Sequence, residues 1–468
     1  MAAPEPAEVK DAIVKAVATM RGTYGRHGGY VWVYSPDGKL RAGEGPAGET
    51  SAWVQPPGTP TVGESFLAAY RATGDRVCRE AALEVARALV KGQLHSGGWN
   101  YRIDFDPRLR KQSNYRIDGG KAPKAGGPAG WDTWRKRRNK GNRSMLDDDT
   151  TQAALRFLLE VDRELKFADK EIHDCVLYGL EALIGTQYPV GAWSHNFDSF
   201  PDPPVSEADY PVMRASIPDE WPHTWPNAWN GCYHLNDNIT TDAIRTLLLA
   251  HEVLGDRKYL EAAMRGGDFL IKAQLPEPQP AWAQQYDKRM VPVWERKFEP
   301  PAVTGGESQG ALLMLLELHR ATGEPRFLEP VGPALRYLEK SRLPDGQLAR
   351  YYELRTNRPL YFTKDYQLTH DDSDVPTHYA FKVGSKLERI RREFDAAKSG
   401  KAPKAGGPPS DREVERILSS RNDEGIWLES GAVRDGSGKK VETAEGVLNS
   451  GTFAKNLRTL SDWLDAEK

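Results

Sequence analysis

Hydrophobic residues recur at helical spacing over most of the chain, and the helical segments come in pairs. From about residue 64 to residue 341, one segment of each pair carries apolar stripes at the i, i+3, i+4 spacing that places side chains on one helix face. These stripes are Phe66, Leu67 and Tyr70; Leu155, Leu158 and Leu159; Ile244, Leu247 and Leu248; and Leu312, Leu315 and Leu316. The pattern predicts repeated helical hairpins.

Three turns between paired segments are similar. They span residues 71–75, 251–256 and 319–324, and each contains a glycine followed by an acidic residue. Glycine takes the left-handed conformation that ends a helix at little steric cost. We therefore expect Gly74, Gly255 and Gly323 to end the first helix of their hairpins.

The second segment of each pair ends in a glutamine, and a tryptophan follows six or eight residues later. The pairs are Gln93 with Trp99, Gln187 with Trp193, and Gln274 with Trp282. Two interpretations stay open: the tryptophans face a ligand, or each glutamine caps a helix and each tryptophan fills a hole in the core.

Hairpins that cannot bury their own apolar faces must stack, and a stack that curves shut is an α/α toroid with its loops at one end. We expect an all-α fold of this type, an (α/α)3-type barrel of helical hairpins with long loops and little β-structure.

The chain length bears on domain organisation. The 468 residues exceed the usual limit of about 250–300 residues for one compact core, so either several domains or a closed repeat is needed. We expect a single domain over residues 1–468, with repeats over about 64–385.

Residues 195–235 are rich in Pro, Trp and Asp and predict an irregular flap. The octapeptide at 121–128 recurs at 401–408 and predicts basic linkers, and the basic run at 134–140 predicts a solvated surface.

Composition excludes several classes of function. The net charge of −2 gives no general attraction to nucleic acid, and no run of eighteen apolar residues predicts a membrane span. Cys78, Cys175 and Cys232 are odd in number and far apart, so they indicate neither a disulfide framework nor a zinc spacing. The first residues lack the features of a secretory signal. We expect a monomer that is secreted or periplasmic in its mature form, with a cytoplasmic location left open.

Two acidic clusters open equivalent helices. Asp147, Asp148 and Asp149 precede the helix of Leu155, and Asp237 lies between two asparagines before the helix of Ile244. One aspartate could serve as a helix cap. Three adjacent carboxylates repel one another, and a hard cation with oxygen ligands offsets such repulsion. A toroid would bring Asp147 and Asp237 to one rim, whereas zinc is not expected because no Cys/His cluster is visible.

The most specific motifs lie in the second half of the chain. They are PAWAQQYD at 280–287, VWERKFEPP at 293–301 and GES at 306–308, and they are followed by ARYYELRTNRP at 349–359 and by Lys364 with Asp365. These blocks resemble the pectic acid lyase family, polysaccharide lyase family 10, whose members show a Trp-Cys-Ala-Gln-His block, an Arg-x-Tyr-Glu block and a Ser-Glu-Ser-x-Gly helix start in this order. The resemblance covers roughly residues 64–385.

The resemblance implies a pectate lyase that cleaves polygalacturonate by calcium-assisted anti β-elimination and yields unsaturated oligogalacturonides. It makes Arg296 the proton-abstracting base, although from the residues alone Arg296 would be a carboxylate clamp. It assigns calcium to Asp147, Asp148 and Asp237, of which the first and last also count as catalytic. The residues expected to bind the polymer are Arg350, Lys364, Trp282 and Gln284.

The chain also departs from the family pattern. Asp148 stands where the family commonly has Asn, Ala283 and Tyr286 replace Cys and His, and Lys364 replaces an Arg that would bind a carboxylate through two hydrogen bonds.

The residues leave three alternative functions open. They are a toroidal glycoside hydrolase with Asp147 and Asp237 as acid and base, an inactive uronate-binding protein, and a terpene-cyclase-like toroid, which leaves the block at 296–299 without a role.

Overall fold

Helices dominate the computed structural model, which describes residues 4–123, 140–200, 205–228, 231–401 and 406–468. Most of them are between nine and eighteen residues long. In chain order they are α1 (Pro6–Thr19), α2 (Thr59–Thr73), α3 (Arg76–Gly92), α4 (Pro107–Arg110), α5 (Thr150–Glu164), α6 (Lys170–Gly185), α7 (Ile239–Leu254), α8 (Arg257–Ala273), α9 (Gly305–Thr322), α10 (Val331–Lys340), α11 (Leu387–Lys398), α12 (Asp411–Ser419) and α13 (Ser450–Ala466).

The strands are short pieces of two to four residues in the loops between helices. They are β1 (Val33–Tyr34), β2 (Arg41–Ala42), β3 (Ser51–Trp53), β4 (Arg102–Asp104), β5 (Ser144–Met145), β6 (Asn196–Phe197), β7 (Tyr233–His234), β8 (Gln285–Tyr286), β9 (Ala302–Thr304), β10 (Leu348–Ala349), β11 (Tyr351–Glu353), β12 (Pro359–Phe362), β13 (Leu368–Thr369), β14 (Lys382–Val383), β15 (Leu428–Glu429), β16 (Ala432–Arg434), β17 (Lys440–Glu442) and β18 (Val447–Asn449).

The described residues form two compact units. The first comprises residues 4–123, 140–182 and 406–468, and the second comprises the described residues of 183–401. In the first unit, α2 packs against α3 and α13, and an antiparallel sheet has the order β15-β18-β1-β2. In the second unit, α7 packs against α8, α9 packs against α11, and the sheet β13-β12-β11-β9 lies in the loops. The single domain expected from the sequence stays a prediction.

The predicted all-α class is confirmed: the described residues form helical hairpins with little β-structure. The helices extend beyond the predicted repeats, because α1 precedes them and α11, α12 and α13 follow. None of the described helices is long and apolar enough to cross a membrane. Most of the first octapeptide copy, half of the second and most of the basic run fall on residues 124–139 and 402–405, outside the described residues.

The predicted glycine turns are confirmed. Gly74, Gly255 and Gly323 have φ angles of 67°, 74° and 72°, and each amide donates to the carbonyl of the residue four positions earlier. In two of these turns the acidic residue after the glycine starts the next helix. Asp75 accepts from the amide of Val77, and Asp256 accepts from the amide of Lys258. In these two turns the same short sequence thus ends one helix and starts its partner.

The glutamine and tryptophan pairs have one structural role in all three hairpins. Each glutamine amide nitrogen donates to two carbonyl groups, one in the loop that follows and one in or beside a later helix of the same unit. The pairs of acceptors are Gly97 and Cys175 for Gln93, Gly191 and Ala262 for Gln187, and Pro280 and Pro330 for Gln274. The indole nitrogens of Trp99, Trp193 and Trp282 donate to the carbonyls of Leu89, Leu183 and Leu270. These contacts fix each loop to the helices below it.

Replacing Gln93 with alanine is expected to lower the free energy of unfolding by about 1–3 kcal/mol, because two buried carbonyls lose their donor. Gln93 itself is only 1% exposed, so water cannot readily replace the amide. Gln347→Ala, at an exposed position, is the matched control and should change stability by less than about 0.5 kcal/mol. Denaturant unfolding of both variants measures the difference, and equal stabilities would contradict the structural role.

Candidate active site

Two helix starts share an unusual backbone conformation. Directly before α5, Asp148 and Asp149 have φ angles of 49° and 58°, and directly before α7, Asp237 and Asn238 have φ angles of 47° and 63°. Asp and Asn enter this left-handed region more readily than other residues with a side chain, since their polar groups hydrogen-bond locally. The two clusters are therefore equivalent helix starts, as the sequence predicts. Left-handed residues of this kind often occur at functional sites.

Helix capping does not explain these acidic clusters. The N-cap residues are Asp149 before α5 and Asn238 before α7, and within the described residues neither side chain hydrogen-bonds to the first turn of its helix. Asp237 lies one position further out, and its carboxylate accepts from the amide of Asn236 at 2.9 Å. The side chains at the two N-cap positions therefore do not cap α5 and α7.

In the first unit, the three aspartates of the triplet have different partners. Asp149 forms an ion pair with Arg156. The Tyr101 hydroxyl donates to Oδ2 of Asp147 at 2.9 Å, and the Gln55 amide donates to Oδ2 of Asp148 at 2.6 Å. Burial, and after it the nearby Asp147 and Asp148 carboxylates, raises the pKa of Tyr101 well above its ordinary value. Asp147 and Asp148 therefore each accept a hydrogen bond from a neutral donor.

In the second unit, Arg296 lies in the loop between β8 and β9 and is held by two carboxylates. Its Nη2 forms an ion pair with Glu299, which is fully buried, and lies 3.3 Å from Oδ2 of Asp237. The backbone N–H of Arg296 also donates to Oε2 of Glu299 at 3.1 Å. One glutamate thus fixes both the backbone and the guanidinium of Arg296. The Arg296 side chain remains 34% exposed.

The surroundings of Arg296 favour its cationic form. Burial alone would lower the pKa of the guanidinium, but the Glu299 carboxylate and then Asp237 outweigh burial and raise this pKa well above its ordinary value. A proton-abstracting group has to be deprotonated when it acts. In the protein without a bound substrate or cation, the geometry is therefore that of a carboxylate clamp.

Arg350 belongs to the same group of side chains. It lies between β10 and β11, and its Nη1 is 3.4 Å from Oε1 of Glu307. Its guanidinium stacks over the Tyr379 ring at 4.5 Å from the ring centre, and the Arg296 guanidinium lies 5.9 Å from the same centre. The Gln284 amide donates to Oε1 of Glu307 at 2.8 Å. Tyr379 and the two glutamates therefore link the two arginines in one charged network.

A cavity of about 450 Å³ opens beside this network, entirely within the second unit. Its lining includes both acidic and cationic side chains, among them Asp237, Glu307, Arg350 and Lys386. Arginine binds a carboxylate through charge-assisted hydrogen bonds, and carboxylates and amides bind hydroxyl groups. The cavity therefore suits a polar ligand that carries its own carboxylate.

The expected binding residues differ in their surroundings. Lys364 is exposed and pairs with Asp374 at 2.8 Å. Gln284 is 1% exposed, and it supports Glu307 from within the protein. Trp282 is fully buried, and its indole nitrogen donates to a backbone carbonyl. The expectation that Trp282 binds substrate is therefore corrected, because no face of its ring is open to a ligand and the hole-filling alternative describes it.

Sequence reasoning did not assign a role to several residues of this network. Glu299 and Glu307 lie inside the motif blocks at 293–301 and 306–308, so their position gave a usable signal. Tyr379 lies in no motif, and only the folded chain brings its ring beside Arg350. The expectation that no histidine cluster exists is wrong, because the structure brings together His195 and Glu295, which are 100 residues apart, with His234.

Comparisons with known proteins do not assign an activity to this chain. No known protein-family model matches the sequence, and no curated protein sequence matches it. Similar solved structures include a family 10 polysaccharide lyase from Cellvibrio cellulosa, at 19% sequence identity over 72% of this chain and 97% of that chain, with a TM-score of 0.46. They also include a D-mannose isomerase, at 13% identity over 98% and 97% of the two chains with a TM-score of 0.49. A cellobiose 2-epimerase from Spirochaeta thermophila has 12% identity over 98% of both chains and a TM-score of 0.49.

By their names, the three proteins act on carbohydrates, and they carry out three different reactions. At these identities and TM-scores the likeness assigns neither an activity nor a substrate to this chain. The activity has to be argued from the side chains of the site.

Proposed function

We propose that this protein is a pectate lyase that cleaves polygalacturonate by calcium-assisted β-elimination, acting as a monomer that is secreted or periplasmic. The observation that carries the proposal is the pairing of Arg296 with Asp237 beside a cavity that Arg350 lines. Two arginines offer binding partners for the carboxylate groups of a uronate. Arg296, Asp237 and Arg350 also lie in sequence clusters that resemble those of the pectic acid lyase family.

β-Elimination removes the hydrogen at C5 of a galacturonate, next to the carboxylate, and expels the glycosidic oxygen at C4. Negative charge builds on the carboxylate as the proton leaves, so cations that contact this group stabilise the transition state more than the substrate. In the proposal, Arg350 binds that carboxylate and the deprotonated side chain of Arg296 takes the C5 proton. Exposed Lys364 binds the carboxylate of another sugar unit.

Glu299 is the positioning residue for Arg296. Its two contacts hold the guanidinium in one orientation, which is what proton abstraction from a fixed C–H bond requires. Glu299, and after it Asp237, favours the protonated guanidinium by raising its pKa, so turnover needs an alkaline medium or a cation that competes for Asp237. A uronate-binding protein without turnover is the second candidate, and the raised pKa of Arg296 favours it.

Calcium is assigned to Asp147, Asp148 and Asp237 from the sequence resemblance. The donor set fits this ion, because it consists of carboxylate oxygens, the ligands that calcium prefers. The Asp237 side chain is 26% exposed and lines the cavity, so its carboxylate is accessible to an ion. When bound, calcium would offset negative charge on the substrate carboxylate.

Incubation with polygalacturonate tests the reaction class. A lyase produces an unsaturated sugar, and its ultraviolet absorbance should rise with time. A glycoside hydrolase would release reducing ends without this absorbance, and a binding protein would retain the polymer without either signal. Rising reducing ends at constant ultraviolet absorbance would refute the lyase proposal.

Removal of calcium by a chelator is expected to abolish the absorbance increase, since the carboxylates of the site would lose their counter-ion. Chelators also remove other divalent ions, so the control experiment adds single metals back to the chelated protein and measures which one restores activity. Calcium alone should restore the rate, and zinc alone should not. Full activity after exhaustive chelation would remove calcium from the mechanism.

A further inference from the structure

Two histidines and one glutamate meet in the interior of the second unit. Nε2 of His195 lies 2.9 Å from Oε2 of Glu295, and Nε2 of His234 lies 2.6 Å from Oε1 of the same carboxylate. The centres of the two imidazole rings are 4.1 Å apart. The three residues are 6%, 0% and 1% exposed. None of them has a role in the proposed elimination.

The three side chains turn ligand atoms towards one another. Each offers a nitrogen or a carboxylate oxygen, and these atoms all lie within 4.8 Å of one another. Zinc bonds of about 2.0–2.2 Å in tetrahedral geometry place neighbouring ligand atoms about 3.3 Å apart. The two observed nitrogen–oxygen distances would therefore have to widen by only about half an ångström to admit an ion.

A glycine keeps space open beside these atoms. A Cβ atom on Gly231 would lie 2.2 Å from Oε1 of Glu295 and 2.9 Å from Nε2 of His234. Both distances are shorter than a side chain can tolerate, so any other residue at this position would displace the two ligand groups. The glycine thus preserves the volume next to the carboxylate and the imidazole.

The buried carboxylate lies between two imidazoles, with one of its oxygens beside Nε2 of His195 and the other beside Nε2 of His234. Buried charged groups in proteins are paired or coordinate metals. A carboxylate between two imidazoles is a ligand set that zinc accepts, with His nitrogen and Glu oxygen donors.

We propose that His195, His234 and Glu295 bind one divalent transition-metal ion, with zinc as the best match. Imidazole nitrogen suits zinc, copper or nickel, whereas calcium takes oxygen ligands, so this site is chemically distinct from the aspartate cluster. Three protein ligands leave one tetrahedral position for a water molecule. The proposal does not depend on the lyase activity.

The position of the site in the chain indicates its role. His195 and His234 lie at the two ends of the irregular insertion, and Glu295 directly precedes Arg296. Hydrogen bonds connect the same two segments: the Trp225 indole donates to the carbonyl of Glu295 at 2.7 Å, and the Trp294 indole donates to the carbonyl of Pro222 at 2.6 Å. A bound ion would therefore close the base of the insertion and fix the segment that carries Arg296.

Calorimetric titration of metal-free protein with zinc tests the proposal, with calcium in excess to occupy oxygen-ligand sites. The expected result is one equivalent bound and a melting temperature that rises with zinc concentration. Glu295→Gln and His234→Asn should each weaken zinc binding by at least about 100-fold. The matched control is His173→Asn, which removes another histidine–carboxylate pair, that of His173 with Asp162 at 2.8 Å, and should bind zinc as the wild type does.

Cobalt gives a readout that needs no variant. Cobalt bound to the wild-type protein should show the intense visible absorption of a four-coordinate ion, and zinc should displace it. Absence of zinc binding by the wild type, or equal binding by wild type and His234→Asn, would overturn the proposal and leave a hydrogen-bonded histidine–glutamate–histidine group. Binding by wild type and control but not by the two cluster variants would establish the site, whether or not the protein cleaves pectate.

Discussion

Lysine in place of Arg296 is expected to lower kcat on polygalacturonate by about 100- to 10,000-fold, the usual contribution of a positioned acid or base. Binding of an oligogalacturonate should change little, because a lysine still places a positive charge near Asp237 and the substrate. A loss confined to kcat indicates an interaction made only in the transition state. Steady-state kinetics and calorimetric binding together measure the two effects.

The clamp alternative predicts the opposite pattern for the same variant. If Arg296 only binds a carboxylate, lysine loses the paired hydrogen bonds of a guanidinium, so KM should rise and much of kcat should remain. Arg289→Lys, at a side chain that is 73% exposed and pairs with Asp287, is the matched control and should behave as the wild type. Wild-type turnover of Arg296→Lys at saturating substrate would leave the proposed mechanism without a base.

Alanine in place of Asp237 is expected to lower activity by at least about 100-fold, as the loss of a metal-holding carboxylate should. The decrease in the free energy of unfolding of the metal-free protein should be small compared with this loss of activity. Asp237 is not the N-cap of α7, so its removal leaves helix capping unchanged. Its φ of 47° is unfavourable for alanine, and this strain accounts for about 1–2 kcal/mol.

Asparagine at the same position separates charge from backbone strain. Asp237→Asn keeps a side chain that tolerates the left-handed conformation but removes the negative charge. It should match the wild type in the melting temperature of the metal-free protein and match the alanine variant in activity. A collapse of the melting temperature in metal-free Asp237→Asn would assign Asp237 a structural role instead.

The repeated architecture was predictable because its signals are local. A glycine that ends a helix, such as Gly74, and a glutamine that follows a helix, such as Gln93, act within a few residues of sequence. Of the C-terminal helices, α11 and α12 were missed because they are short, and their apolar residues do not form the long leucine-rich stripes of the central repeats. In contrast, α13 is 17 residues long and carries a stripe of Phe453, Leu457, Leu460 and Leu464, so its pattern was a usable signal. Trp427 repeats the tryptophan contact, donating to the carbonyl of Ile417 at 2.9 Å, but no helical stripe drew attention to it.

The candidate site was predictable only where a motif carried it. Arg296 and Arg350 lie in recognisable blocks, and the structure links them through Tyr379. A sequence pattern cannot tell a tryptophan that faces a ligand from one that fills the core, which is why Trp282 was misassigned. The histidine cluster was invisible for a different reason: its members come from three separate segments, and spacing rules for metal ligands apply within one short motif.

The glutamine contacts have a consequence for how loops of this protein can diverge. The amide of Gln187 and the indole of Trp193 anchor their loop before the insertion at 195–235 begins. On the far side, the Thr240 hydroxyl at the start of α7 donates to the carbonyl of His234 at 2.7 Å. The insertion is thus fastened at both ends, and contacts such as that of the Trp225 indole with the carbonyl of Glu295 hold its middle. Positions of the described insertion outside these contacts can be exchanged while the scaffold is inherited unchanged.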